Sequence, residues 1–244
     1  MTSSEALTKI ETLRLSSVPY EHYISMLAII AVLNGIKPAF MGDEVEYLEE
    51  YKEAGRRLGL RVLVTKRPPT DTYQIRRPLV PMGFIEAYHG AVEEKEKRAA
   101  WLFRQTETSE RISRSVSGQL DEGYVLGYPE CCVRAYGEDR AMLVETVYNY
   151  IVDHHHAKTE EEALKVLLTD PPFPAPKSRV HESFEKFPFI SHVACPDCIE
   201  GKSEKSSKLN QELRKLATEA GLKGRIVESM TDLLATGLTR VFKR

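Results

Sequence analysis

The longest apolar stretch of the chain lies near its start, at residues 22–33. These residues (HYISMLAIIAVL) are apolar on nearly every face of a helix, and Asn34-Gly35 follows as a helix-end signal. The pattern predicts a buried helix that ends near residue 34. Apolar residues then recur at helical spacing between residues 45 and 58, and residues 60–65 (LRVLVT) form a β-branched run that predicts a short strand.

Prolines divide the rest of the chain. A proline-rich stretch at residues 66–83 indicates a linker or an extended segment. After it the pattern predicts helices at 86–104, at 138–152, from 159 to about 168, and two amphipathic helices around 209–220 and 226–241. The predicted fold is α+β, predominantly helical with a small β-sheet. We place a small α/β layer at residues 1–75 and a mainly helical, cysteine-bearing domain at 76–244, with one continuous domain as the alternative.

Composition and charge narrow the classes of protein that the chain could represent. Of its 244 residues 42% are hydrophobic, which is enough to build a core, and the net charge is only −2. This balance gives no general attraction to nucleic acid or to an anionic membrane. No run approaches the roughly 18 apolar residues that a membrane span needs, and the polar start is unlike a signal peptide. We therefore expect a cytoplasmic protein without a membrane partner.

Amide side chains are scarce, with three asparagines and four glutamines against 29% charged residues. This combination is typical of thermophile proteins. It bears on the cysteines, because intracellular disulfides occur in hyperthermophiles although they are rare in other cytosolic proteins.

The four cysteines fall into two tight pairs, which is the strongest chemical signal in the chain. Cys195 and Cys198 have the two-residue spacing that lets two thiolates reach one tetrahedral metal ion. His192 lies three residues earlier and could add a nitrogen ligand. The other pair, Cys131 and Cys132, follows Gly127 and Pro129, a turn-then-helix signal. We expect this pair at a helix N-terminus, where the helix dipole favours thiolate.

Two ligand sets remain open at this stage. Side chains of adjacent cysteines diverge, so either Cys131 or Cys132 could join His192, Cys195 and Cys198 in a Cys₃His site. Alternatively, all four thiolates could hold zinc or an iron–sulfur cluster. Zinc is the first choice of cofactor and an iron–sulfur cluster the second. Four unrelated buried thiols, or a disulfide, would explain the same residues without a metal.

Two further features invite a functional interpretation, and each has a simpler one. His154, His155 and His156 are adjacent, so on a helix they do not share a face, and they are better explained as the C-terminus of a helix. The basic stretch from Arg56 to Arg77 could bind phosphate or nucleic acid. Glutamates in the preceding helix favour a helix charged to complement its own dipole.

Residues 127–133 (GYPECCV) and 192–198 (HVACPDC) resemble a largely archaeal family catalogued as domain of unknown function 483. Residues 34–39 (NGIKPA) and 88–90 (YHG) are also similar to that family. The resemblance covers most of the chain and implies an archaeal, cytoplasmic setting in which these cysteines are the family signature. It implies no substrate.

The sequence thus predicts a metal-binding protein whose site draws on Cys131, Cys132, His192, Cys195 and Cys198. An enzymatic version would leave one coordination position or one thiol free for substrate, and the partner would be a small molecule or a protein. A second hypothesis, from Cys195-Pro196-Asp197-Cys198, is a thiol–disulfide oxidoreductase or redox sensor. A third is a zinc-stabilised nucleic-acid-binding module, which the net charge disfavours.

Overall fold

The apolar helix predicted near the start of the chain forms the centre of the structure. The computed structural model describes residues 1–66, 80–85, 87, 98–169 and 179–236. Its first helices are α1 (Ser3–Ile10), α2 (Pro19–Leu33) and α3 (Leu48–Leu58). Pro19 lies in the first turn of α2, where a backbone N–H would have no acceptor within the helix, so proline is well suited to this position. Gly35 follows the helix with a φ of 75°. Residues 26–32 are all buried, which confirms the predicted core helix.

Three antiparallel strands form one small sheet. They are β1 (Ala39–Gly42), β2 (Arg61–Lys66) and β3 (Arg98–Phe103), in the order β1-β3-β2. Phe103 pairs with Ala39 on one side and with Arg61 on the other, so β3 is the central strand. The predicted strand at 60–65 is confirmed.

The helix predicted over residues 86–104 is wrong at its C-terminal end. Residues 98–103 form β3, in which every residue after Arg98 is buried. An uninterrupted apolar run fits a buried helix as well as a central strand, and only pairing with β1 and β2 decides between them. Residues 88–97 of that predicted helix lie outside the described residues.

The remaining described elements are helical and confirm the predominantly helical α+β class. They are α4 (Glu107–Val116), α5 (Glu122–Val125), α6 (Glu130–His155), α7 (Glu160–Thr169), α8 (Arg179–Lys186), α9 (Pro196–Ile199), α10 (Lys205–Ala220) and α11 (Lys223–Thr236). The helix predicted at 138–152 is the C-terminal part of α6. None of the helices in these ranges is both long and apolar enough to cross a membrane.

The largest apolar cluster contains most of the cysteines. It joins α1, α2, α3, α10 and α11 to one face of the sheet, and it includes Cys132, Cys195 and Cys198. Each fully buried leucine or isoleucine in it contributes roughly 1.5–3 kcal/mol by leaving water. A second cluster covers the other face of the sheet around Trp101. Because β3 completes the sheet, the layer predicted within residues 1–75 also uses a later strand, and the two-domain division stays a prediction.

Candidate metal centre

A tight turn positions the first cysteine pair. Gly127 has a φ of +76°, and a Cβ at this position would lie 2.6 Å from Cδ of Pro38, so glycine is required both by conformation and by space. Pro129 caps α6, which begins at Glu130. Cys131 and Cys132 therefore lie in the first turn of a helix, as the turn-then-helix signal predicted.

A second turn positions the other pair. Cys195 is the N-cap of the short helix α9, and Pro196 occupies its first position. The backbone N–H of Cys198 donates to the carbonyl oxygen of Cys195 at 3.0 Å, which folds the intervening residues back on themselves. Both sulfurs of the Cys-x-x-Cys pair consequently lie on the same side of this turn, towards α6.

The four sulfur atoms converge on one point. Sγ of Cys198 lies 3.8 Å from Sγ of Cys131 and 3.8 Å from Sγ of Cys132. The two adjacent cysteines, whose side chains were expected to diverge, have their sulfurs 4.0 Å apart. With Cys195 included, all four ligand atoms lie within 4.8 Å of one another. The predicted convergence of the two pairs is confirmed.

These distances match the size of a single tetrahedral metal site. Zn–S bonds of about 2.3 Å place neighbouring sulfurs about 3.8 Å apart. A disulfide, in contrast, requires an S–S distance of about 2.05 Å, and all four cysteines are free thiols in the structure. The four side chains could therefore hold one metal ion with little rearrangement.

The site is closed on most sides. Cys132, Cys195 and Cys198 are buried, and Cys131 is half-buried. The backbone N–H of Cys195 donates to Sγ of Cys132 at 3.4 Å, a contact that stabilises negative charge on sulfur. A four-sulfur site of this kind leaves no coordination position for a substrate, which is typical of structural rather than catalytic metal sites.

Burial and hydrogen bonds act in opposite directions on the thiols. Burial raises the pKa of Cys132 and of Cys195. Burial also opposes ionisation of Cys198, but hydrogen bonds with Ser206 and Ser203 outweigh it and lower the pKa of Cys198 to about 7. The serines thus favour thiolate at one corner of a site that is otherwise apolar.

His192 lies near the cysteines but does not belong to the group of four ligand atoms. Its Nε2 is 3.3 Å from Oγ of Ser206, and the same hydroxyl is 3.2 Å from Sγ of Cys132. Burial, with the charge of Lys37 nearby, lowers the pKa of His192 to about 3, so the ring is neutral. The arrangement places His192 where it can orient the Ser206 hydroxyl beside the sulfur of Cys132.

Ser206 and Ser203 belong to the site although no sequence pattern indicated them. Ser206 is fully buried at the start of α10 and contacts both Cys132, which lies 74 residues earlier, and the nearby Cys198. A serine in the first turn of a helix carries no signal of this role. Only the packing of α10 against the cysteine turns brings it there.

The weaker candidates lie apart from this centre. His154, His155 and His156 are exposed at the end of α6 and belong to no group of candidate ligands among the described residues. Arg56 and Arg57 both pair with Glu53 on the same helix, which supports the simpler interpretation of the basic stretch. Residues 67–77 of that stretch lie outside the described residues.

Fold and site together define a predominantly helical α+β protein with a buried four-cysteine cluster that is compatible with metal binding. No family model matches the chain, and no curated protein or solved structure is significantly similar to it.

Proposed function

We propose that this is a metal-binding protein in which Cys131, Cys132, Cys195 and Cys198 hold one zinc ion as a structural centre. The observation that carries the proposal is the convergence of four sulfurs within 4.8 Å. Four thiolates in a tetrahedral arrangement are a preferred ligand set of zinc. The ion would supply a cross-link between the start of α6 and the segment that leads into α10.

The spacing of the sulfurs favours a single ion over an iron–sulfur cluster. A cluster places several irons and inorganic sulfides between its cysteine ligands, so its sulfurs lie farther apart than those around one ion. Here three sulfur pairs are separated by only 3.8–4.0 Å. A single iron ion would fit the same four sulfurs. Iron-loaded protein would be coloured, whereas zinc-loaded protein would be colourless.

A thiol–disulfide oxidoreductase fits the geometry less well. Such a protein attacks its partner with an accessible thiolate. Both cysteines of the Cys-x-x-Cys pair are buried here, with Cys195 3% exposed and Cys198 1% exposed. We also propose a cytoplasmic location. The resemblance to domain of unknown function 483 is proposed on the two cysteine motifs together with residues 34–39 and 88–90.

Cobalt substitution tests the ligand set directly. Metal-free protein, prepared under reducing and anaerobic conditions, is titrated with Co²⁺ while the absorption spectrum is recorded. We expect saturation at one equivalent, with the intense visible bands of tetrahedral cobalt and a strong thiolate-to-cobalt charge-transfer band. Zinc should then displace the cobalt and bleach the colour. Weak octahedral bands, or no saturable binding, would refute the four-thiolate site.

A further inference from the structure

Lys37 is a buried lysine that has no carboxylate partner among the residues described by the structure. It follows α2 in the loop that leads to β1, and its side chain and backbone together are only 4% exposed. Within the described part of the chain its ammonium forms no ion pair. An unpaired charge in a protein interior is costly and is retained mainly where it has a role.

Two hydroxyl-bearing residues surround this amine. Nζ of Lys37 donates to Oγ of Ser191 at 3.1 Å and lies 4.7 Å from the centre of the Tyr128 ring. The Tyr128 hydroxyl donates to the carbonyl oxygen of Ser191 at 3.2 Å and lies 3.3 Å from Oγ of the same residue. An ammonium has three N–H donors, and among the described residues only one donor of Lys37 has an acceptor.

Three distant segments meet to build this cluster. Lys37 comes from the loop after α2, Tyr128 from the turn before α6, and Ser191 from the segment before Cys195. The contact of Gly127 with Pro38 holds the first two segments together. The two cysteine turns lie directly beside Tyr128 and Ser191 in the sequence. The cluster and the metal centre therefore share their supporting turns.

The far side of the cluster also carries unused hydrogen-bonding capacity. The Tyr128 ring stacks on the His192 ring with their centres 4.7 Å apart. Nδ1 of His192 is buried and has no hydrogen-bond partner in the part of the chain that the structure describes. Tyr128 and Ser191 are half-buried, whereas Lys37 is buried.

We propose that Lys37, Ser191 and Tyr128 form a binding site for a small oxyanion, namely a carboxylate or phosphate group. The lysine supplies the charge and its remaining N–H donors, the Ser191 hydroxyl can donate one hydrogen bond, and the Tyr128 ring borders the site, because its own O–H donates to the carbonyl oxygen of Ser191. Charge-assisted hydrogen bonds of this kind are the strong ones in protein interiors. The site goes beyond the metal centre and does not require a metal ligand to be free.

A proton should accompany the anion. Burial lowers the pKa of Lys37 to about 7, so the amine is partly neutral in the free protein at neutral pH. The titratable groups that face it are Tyr128 and neutral His192, while Asp43 and Glu122 act on Tyr128 from farther away. A bound anion favours the ammonium form. Binding should therefore take up a proton and weaken as pH rises above about 7.

Calorimetry of the zinc-loaded protein tests this site with acetate and inorganic phosphate as separate probes at low salt. Acetate keeps a constant charge between about pH 6 and about pH 9, so it isolates the titration of the protein. We expect one acetate or phosphate per chain. Acetate affinity should fall by up to about tenfold per pH unit above about pH 7, and proton uptake should appear as a buffer-dependent enthalpy. The probe that binds tighter identifies the oxyanion class.

Variants separate this site from surface binding. Lys37→Met, which keeps the length of the side chain, should weaken the preferred probe by at least about tenfold, and Ser191→Ala by a few fold. The matched control Lys52→Met, on exposed α3, should leave the affinity unchanged. If Lys37→Met fails to fold, the pH dependence of wild type and the Ser191→Ala variant carry the test.

Three results would overturn the proposal: no saturable binding of either probe to wild type, equal binding by Lys37→Met, or binding without proton uptake. Metal content is measured on the same samples. If zinc-loaded protein binds neither anion, only the oxyanion site is contradicted. If metal-free protein binds acetate, only the zinc centre is contradicted.

Discussion

The position of His192 distinguishes the two ligand sets that the sequence left open, a Cys₃His site and a four-cysteine site. In a Cys₃His site it would bind the metal, whereas in the four-cysteine site it acts through Ser206 on Cys132. We predict that His192→Gln retains one metal ion per chain and loses about 1 kcal/mol of stability as the stacking on Tyr128 disappears. Metal analysis of the purified variant checks this, and loss of the metal would restore the Cys₃His alternative.

Ser206 should tune the affinity for the metal without being a ligand. Its hydroxyl hydrogen-bonds to sulfur atoms of the centre. Removing such a supporting group typically costs 10–100-fold in metal affinity. We predict a loss in that range for Ser206→Ala, measured by competition with a zinc-binding dye. Ser207→Ala, one residue along α10, is the control and should match wild type; equal affinities for all three proteins would contradict the role of Ser206.

Lys37 should make stability depend on pH in a defined direction. Its pKa is about 7 in the folded protein against about 10.4 in the unfolded chain. Between these values the unfolded chain binds more protons, so the lysine contributes a stability that rises with pH. We predict that Lys37→Met is more stable than wild type near pH 6 by up to a few kcal/mol, and that the difference shrinks towards about pH 9. Denaturant unfolding at both pH values measures it, and a pH-independent difference would contradict burial of an unpaired amine.

The sequence predicted the cysteines of the site but not the residues that surround them. Tight pairing and the Cys-x-x-Cys spacing are local signals, and they were sufficient for Cys131, Cys132, Cys195 and Cys198. Ser206 contacts Cys132 across 74 residues as well as the nearby Cys198, and Lys37 contacts Ser191 across 154 residues. Such partners follow from the fold, which residue spacing does not determine.

The turn before α6 links the proposed metal centre and the proposed oxyanion site. Gly127 and Gly221 both have positive φ, but a Cβ meets Pro38 at 2.6 Å only at the first of them, while the second has open space. We predict that Gly221→Ala costs about 1 kcal/mol, from backbone strain alone. Gly127→Ala should cost clearly more and should also weaken metal binding, because the first cysteine pair follows directly. Chemical denaturation and metal titration of both variants provide the comparison, and equal costs would contradict the close approach to Pro38.

The secondary structure was predictable where the apolar pattern had one solution. The run at residues 22–33 is apolar on nearly every face and longer than a typical strand, which favours a helix, and residues 26–32 within it are all buried as expected. Residues 99–103 (AAWLF) are equally apolar but short, so their pattern does not distinguish a helix from a strand. Hydrogen bonding from β1 and β2 makes them the central strand β3. That pairing spans up to 64 residues of sequence and has no local signal.

For the whole molecule, the cysteine cluster joins parts of the chain that are far apart in sequence. Cys132, Cys195 and Cys198 belong to the same apolar cluster as α2, α10 and α11. A metal ion held there would fasten the start of α6 to the C-terminal helices, and its binding energy would become folding energy. We therefore expect the native, stable form of the protein to carry one ion on four sulfurs.

Native mass spectrometry measures how many metal ions each chain carries and so tests the four-cysteine metal centre. Wild type, Cys195→Ser, Cys198→Ser and a control with His154, His155 and His156 replaced by alanine are purified under reducing and anaerobic conditions without chelator. Serine keeps the size of the side chain but not the thiolate. We predict one zinc per chain in wild type and in the histidine control, and none in either serine variant, with lower melting temperatures for both. Metal-free wild-type protein that is as stable as zinc-treated protein would contradict the four-cysteine metal centre.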